Sequence, residues 1–366
     1  MKSEVEKISI QKIIKDYSGI GDFIDAKPFG SGHINDTYLV ITTNDKYILQ
    51  RINHNIFKNI KEQNNNIITA LDHFYSKCRY ENKCRFKELT LILCDDGNSF
   101  HYDENGDYWR LMNYIKNSVS FDVAEESNIA LEAAKAYGYF QKGLLDLNPD
   151  NFFPVIKDFH NLDMRLKTFI DVVAHNPANR NQFVLEEIKF VKNHKYISSF
   201  LKQLLKNNII PIRVTHNDTK INNVLLDKNS KKGIAVIDLD TIMPGTVLFD
   251  FGDMVRTFTS PVEEDEIDLN KVVLRLNIFE ALAKGYLSEL KNHLTQNEIN
   301  NLVFGGKVMT FMIGIRFLTD YLEGDIYYKT SRKNHNLDRC RTQFKLLSEI
   351  EKQESVLKKI IDDIVL

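Results

Sequence analysis

The segment Thr215-His216-Asn217-Asp218-Thr219-Lys220-Ile221-Asn222-Asn223-Val224-Leu225-Leu226-Asp227 places a carboxylate, a cation and an amide within six residues, between apolar runs. The next apolar run, 234–237, delivers Asp238 and Asp240 at its C-terminal end. Phosphoryl transfer needs this set of groups. A carboxylate orients the attacking hydroxyl and accepts its proton. A carboxylate and an amide oxygen hold Mg²⁺, and a cation offsets charge on the transferred group. The plain alternative is an Asn/Asp-rich turn between strands, but such turns rarely need a lysine and two further carboxylates in this order. A second segment, Phe29-Gly30-Ser31-Gly32-His33-Ile34-Asn35-Asp36-Thr37-Tyr38, carries glycines that let backbone N–H groups approach phosphates. The third glycine of a G-x-G-x-x-G loop is replaced by Asn35, so alone this stretch reads equally as a glycine hairpin turn.

The elements that must position these residues can be read from periodicity. Ile10, Ile13, Ile14 and Tyr17 mark a first helix, with Ser9 as its cap and Gly19 as its stop. Residues 37–42 and 46–52 read as a hairpin, 55–76 as helix, and 90–93, 99–102 and 108–114 as further strands. After Ile115 the pattern turns helical. Ser127 can cap a helix whose Ala130, Ala133, Ala134, Tyr137, Phe140 and Leu144 share a face. Most of 160–206 and 267–360 follows suit, while 213–240 reads as short strands and loops. The expected class is α+β with two lobes, a β-rich lobe over residues 1–114 and a mainly helical lobe over 115–366.

Composition limits the function. The chain has 366 residues, 48 Lys+Arg against 50 Asp+Glu and a net charge of −2, so it has no global basic field for nucleic acid. Its four cysteines lack zinc-ligand spacing and read as reduced, incidental thiols. The N-terminus has mixed charge without an apolar core, and no stretch approaches the roughly 18–20 apolar residues that span a bilayer. A cytoplasmic enzyme, with a monomer favoured and no membrane or nucleic-acid partner, is expected.

The order His-x-Asp-x-Lys-x-x-Asn, then a strand hairpin, then Asp matches the protein-kinase catalytic loop. The segment resembles more sharply the aminoglycoside phosphotransferase and choline kinase family, which carries His-Gly-Asp-x-x-x-x-Asn followed by Ile-Asp-x-Asp. Here Val236-Ile237-Asp238-Leu239-Asp240 supplies the second element. The resemblance implies a protein-kinase-like two-lobed fold with ATP in the cleft and Mg²⁺ as cofactor. It makes Asp218 the catalytic base, Asn223 and Asp238 the Mg²⁺ ligands, and Asp240 the support of a second ion. Lys220 stands where protein kinases place a phosphate-contacting lysine, and His216 reads as structural. In the front lobe, Gly30, Ser31 and Gly32 would form the phosphate loop. Arg51 would be the phosphate-pairing cation, with Glu62 spaced too short to be its clear partner. The backbone of Met112, Asn113 and Tyr114 would bind adenine.

A narrower set of motifs is similar to the N-acetylhexosamine 1-kinase group. It comprises Gly32 to Tyr38, Tyr47 to Asn53, His216 to Leu225, Phe159-His160-Asn161 with Arg165, Asp250-Phe251-Gly252-Asp253 with Arg256, and Arg316 to Asp325. The likeness spans about residues 20–345. It implies phosphorylation of the anomeric hydroxyl of N-acetylglucosamine or N-acetylgalactosamine, with His33, Asn35, Arg316 and Tyr327 available to the sugar beside Asp218. Arg316 stays open between sugar binding and a helix ion pair with Asp320. Tyr327 stays open between the sugar and packing under a loop, and Arg165 and His160 read as structural. A choline-type kinase would use aromatic residues around a quaternary ammonium. An aminoglycoside kinase would need an acidic rim such as Glu263-Glu264-Asp265-Glu266, which reads better as a solvated loop with helix N-terminal charge. A nucleotide-binding pseudokinase is disfavoured, because Asp218, Asn223 and Asp238 are all present.

Overall fold

The computed structural model describes residues 2–30 and 34–366, with side chains from residue 7 onward. Ser31, Gly32 and His33 lie outside the described residues. The chain forms two compact units. The first comprises Met1–Ser118, Asp150–Lys157 and Leu239–Met243, and the second Val119–Pro149, Asp158–Asp238 and Pro244–Leu366.

The first unit is an antiparallel sheet backed by helices. Helix α1 (Lys2–Ile14) starts earlier than Ser9, which lies inside it. The preceding Lys- and Glu-rich stretch has good helix formers and no Gly or Pro, so nothing delays the helix until Ser9. Strands β1 (Phe23–Pro28), β2 (Asp36–Thr42) and β3 (Lys46–Ile52) precede α2 (Ile60–Tyr80). The short β4 (Leu91–Ile92) and β5 (His101–Tyr102) follow, then β6 (Tyr108–Asn113). The sheet order is β1-β2-β3-β6-β4, with β5 also on β6. Register fixes which side chains share a face. Leu49 is opposite Leu111, Gln50 opposite Arg110 and Arg51 opposite Trp109. Because side chains alternate, Leu49, Trp109 and Leu111 enter one core with Ile10, Ile13, Ile14 and Tyr17 of α1. Gln50 and Arg110 take the opposite face.

Between the units' segments the chain passes through the two-residue β7 (Ser118–Val119). The second unit opens with α3 (Ser127–Leu144), whose cap position is Glu126. Ser127 does not cap it, because its hydroxyl is engaged with Asn277, which donates to it at 3.1 Å. Helices α4 (Leu162–His175), α5 (Leu185–Asn193) and α6 (Tyr196–Lys206) lead to β8 (Arg213–Thr215) and the hairpin of β9 (Val224–Asp227) and β10 (Gly233–Val236). After β11 (Met243–Gly245) come α7 (Val247–Phe258), α8 (Leu276–Leu290), α9 (Gln296–Asn300), α10 (Leu302–Glu323), α11 (His335–Lys352) and α12 (Glu354–Val365). Helices α7 and α10 approach so closely that a Cβ on Gly252 would overlap the carbonyl of Gly305. Contrary to expectation, α10 is long and apolar enough, by length and composition, to cross a membrane. Its apolar window is 89% buried inside the protein, as befits a central core helix.

Candidate active site

The segment 216–220 is held by side chains rather than by strand pairing. Beyond β8 the backbone turns through Asn217, which adopts the left-handed conformation at φ 65°. The N–H groups of His216 and Asn217 donate to the Asp250 carboxylate at 3.1 and 2.7 Å, and Thr219 Oγ1 donates to the Asp250 carbonyl at 2.6 Å. Asp250 sits in the first turn of α7, behind the Thr246 cap. Burial pushes its carboxyl up to about 6, against the opposing pull of His216 and the two N–H donors. His216 Nε2 faces the Ile237 carbonyl at 3.0 Å, and its Nδ1 accepts the Asp218 N–H at 3.2 Å. Those two partners fix the orientation of the ring. Tyr137 packs edge-on against the ring and donates to the Lys220 carbonyl at 2.6 Å.

This scaffold brings Asp218, Lys220, Asn223 and Asp238 into one neighbourhood. Lys220 Nζ is 3.1 Å from Asp218 Oδ1, and Asn223 Nδ2 donates to Asp218 Oδ2 at 3.2 Å. Burial alone would raise the Asp218 carboxyl, but Lys220 and His216 hold it below the ordinary carboxylate range. Asp218 in turn raises the Lys220 ammonium. The Ile237 N–H donates to the Asn223 carbonyl at 2.9 Å, tying the residue before Asp238 to Asn223. Asp238 is exposed and left-handed at φ 58°. The Asn223 amide nitrogen is committed to Asp218, which leaves Oδ1 as the atom that could meet a cation. Together with the Asp238 carboxylate it forms a hard oxygen set suited to Mg²⁺. Such a site takes one or two carboxylates and completes its shell with phosphate and water. Among the described residues no group of three or more His, Cys, Asp or Glu could hold a metal.

A second cluster in the same unit surrounds Arg316. Its guanidinium lies over the rings of Phe159, Tyr328 and Tyr327 at 5.5, 5.6 and 5.9 Å. The helix ion pair with Asp320 does not form. Asp320 instead accepts the N–H groups of Ile326, Tyr327 and Tyr328 and the amide of Asn336. Tyr327 is 57% exposed and is not packed under a loop. His160 Nε2 meets the Asn217 carbonyl at 3.0 Å, tying this cluster to the segment that carries Asp218. Burial, joined by Arg316 and Arg165, pushes the His160 ring down to about 3, so it is neutral. His160 Nδ1 and Arg165 Nε are buried without hydrogen-bond partners. Three of the four residues of the acidic run are paired: Glu264 with Arg256, Asp265 with Arg332 and His335, and Glu266 with Lys271, while Glu263 is exposed.

Gly30 has φ 79°, which favours glycine. Asn35 is fully used: Nδ2 donates to Asp240 Oδ2 at 2.6 Å, and Oδ1 accepts the Asn53 N–H at 2.9 Å. The other Asp240 oxygen is ion-paired with Arg110. Both oxygens of the expected second metal ligand are therefore engaged by protein. Arg51 is held by Asp36 and Asp107 and lies over Trp109, on the face of β3 opposite Gln50. A buried cation that sequence reasoning did not single out is Arg110, 1% exposed, which donates to Gln50 Oε1 through Nε and Nη2 at 3.0 and 2.7 Å. Gln63 of α2, not Glu62, reaches this group, donating to the Asp240 carbonyl at 3.4 Å. The signal was an arginine within the apolar strand 108–113, since a buried cation requires a carboxylate. At the expected adenine edge, the N–H groups of Asn113 and Tyr114 already donate to Thr90 and Lys46, because strand pairing runs to the end of β6. Met112 is buried in β6.

A profile of the phosphotransferase enzyme family matches residues 25–271, more than half of the chain. Solved structures agree in fold. An aminoglycoside phosphotransferase from Alicyclobacillus acidocaldarius superposes with a TM-score of 0.62 at 9% identity, over 97% of this chain and 96% of that one. Choline kinase from Cryptosporidium parvum gives 0.55 at 16% identity, over 99% and 97%. A spectinomycin phosphotransferase, solved with ADP and spectinomycin, gives 0.52 at 12% identity, over 94% and 98%. The expected protein-kinase-like α+β fold is therefore present.

Proposed function

This chain belongs to the phosphotransferase enzyme family, and from that premise we propose that it is an ATP-dependent kinase acting on the anomeric C1 hydroxyl of an N-acetylhexosamine. The product is the sugar 1-phosphate. The observation that carries the acceptor assignment is the pairing of buried, unpartnered polar atoms with an aromatic wall beside the catalytic segment. His160 Nδ1 can only accept, Arg165 Nε can only donate, and Arg316 lies among three rings. A hydroxyl-rich neutral ring offers both donors and acceptors to such a site. A quaternary ammonium offers neither, and two arginines repel it. Of the acidic run that would greet a polycationic drug, Glu264, Asp265 and Glu266 are already paired internally.

In this reading the Asp218 carboxylate accepts the C1 hydroxyl proton as that oxygen bonds to the γ-phosphorus and the bond to ADP breaks. Lys220 offsets the charge that develops on the phosphoryl oxygens. Asn223 Oδ1 and the Asp238 carboxylate would hold Mg²⁺, which when bound neutralises phosphate charge. The loop beginning at Gly30 is assigned to the nucleotide phosphates, and ATP use is in keeping with a cytoplasmic location.

The test is a panel of N-acetylglucosamine, N-acetylgalactosamine, galactose, choline, homoserine and kanamycin with Mg-ATP, followed by phosphorus NMR. A sugar 1-phosphate is expected, and Asp218→Asn should lose at least about 10²-fold in kcat while still binding nucleotide. Preferential turnover of choline or kanamycin would sink the reading. Nucleotide binding without any turnover would replace it with a pseudokinase.

A further inference from the structure

We infer that Asp253 Oδ2 receives a hydroxyl of the acceptor substrate, which makes Asp253 a specificity-determining residue beside the catalytic base. The inference rests on the kinase reading above and names one contact within it. Asp250, Asp253 and Arg256 recur at three-residue spacing, so they share one face of α7. Asp250 at one end of that face holds the backbone of His216 and Asn217, and its carbonyl receives Thr219. The catalytic segment therefore runs along α7, and Asp253 lies one turn further on. Asp253 Oδ1 accepts Arg256 Nε at 2.8 Å. Its Oδ2 is buried and has no hydrogen-bond partner, in a residue only 2% exposed.

A buried carboxylate oxygen without a donor is costly, and such groups are rare in folded proteins. Arg256 does not relieve it, because its far end is fixed by Glu264 at 2.5 Å. That second anchor keeps the guanidinium on Oδ1 and leaves Oδ2 directed elsewhere. Asp218 and Lys220 lie within electrostatic range of Asp253. An ionised carboxylate oxygen is an acceptor only, so the missing partner is a donor. Among the acceptors considered, sugars bring hydroxyls and choline brings just the reacting one. Sites built to bond a hydroxyl reject analogues that lack it.

The experiment couples Asp253→Asn to monodeoxy analogues of whichever acceptor the panel identifies. Against the parent acceptor the variant should lose roughly 10- to 100-fold in kcat/KM. Most of the loss should fall in the acceptor KM, with the KM for ATP within about twofold. For one monodeoxy analogue the wild-type and variant values should converge, because the bond is absent in both. Equal loss with every analogue would overturn the inference. So would a shift confined to ATP or to kcat, which would make Asp253 a positioning residue for Lys220. Circular dichroism and melting establish that the variant folds; Asp253→Glu, which keeps the charge but moves the oxygen, reads the same coupling if Asp253→Asn does not fold. If the wild type phosphorylates no hydroxyl acceptor, the kinase reading itself falls. If it turns over but shows no coupling, only the Asp253 contact falls.

Discussion

Asp250 is buried at the back of the catalytic segment and must carry charge there to hold two N–H donors. Its carboxyl is raised to about 6, chiefly by burial, with Asp253 adding to the rise and His216 opposing it. The folded chain therefore takes up this proton more readily than the unfolded one. The linked stabilisation is fully present below the ordinary carboxylate range and is lost as pH rises through about 6. Activity should respond in the opposite sense. Protonation places a hydroxyl against N–H donors and loosens the segment, so kcat should fall below about pH 6. Asp218 is held lower and cannot account for that limb. A pH–rate profile of Asp250→Asn should lack it, and a limb near 6 that persists in the variant assigns it to another group. At this scale Asp218, Asn223 and Asp238 were legible because their chemistry is compressed into a short stretch of chain. Asp253 and Arg110 were not, since a carboxylate or arginine in an apolar run gains meaning only from a partner distant in sequence.

At the scale of elements, α7 is the part that sequence reading passed over. Eleven of its twelve residues are buried, so it shows no polar face against which to read a helical period. Helix α10 is similarly enclosed, and a chain that is apolar all round signals burial without saying against what. The two are brought together by Gly252 and Gly305, side chain-free positions that let their backbones meet so closely. Gly252→Ala should therefore cost about 1–3 kcal/mol in urea unfolding, as overpacking does. It should also displace Asp250 and Asp253 and lower kcat. Gly306→Ala, whose nearest neighbours would be the Val255 side chain, should cost less. Equal costs would mean that the α7–α10 approach is not tight. The hairpins of the first unit were easier to read, because turn residues and alternation fix both ends of each strand.

At the scale of the whole molecule, the near-balanced charge of −2 accords with an acceptor that brings none. The charges that matter are paired locally, as in Glu264–Arg256 and Asp240–Arg110. The Asp240 pairing also bears on the order in which the protein can be made. The first unit needs Leu239–Met243, a stretch that the chain reaches only after all of residues 119–238. During synthesis Arg110 leaves the ribosome long before its carboxylate exists. A buried charge left without its partner destabilises by about 3–5 kcal/mol. A fragment ending at residue 157 should accordingly show no cooperative melting by circular dichroism, and a sharp transition in that fragment would contradict this. The N-terminal part of the nascent chain must then wait, incompletely folded and open to chaperones, until a five-residue segment from far downstream arrives to close it.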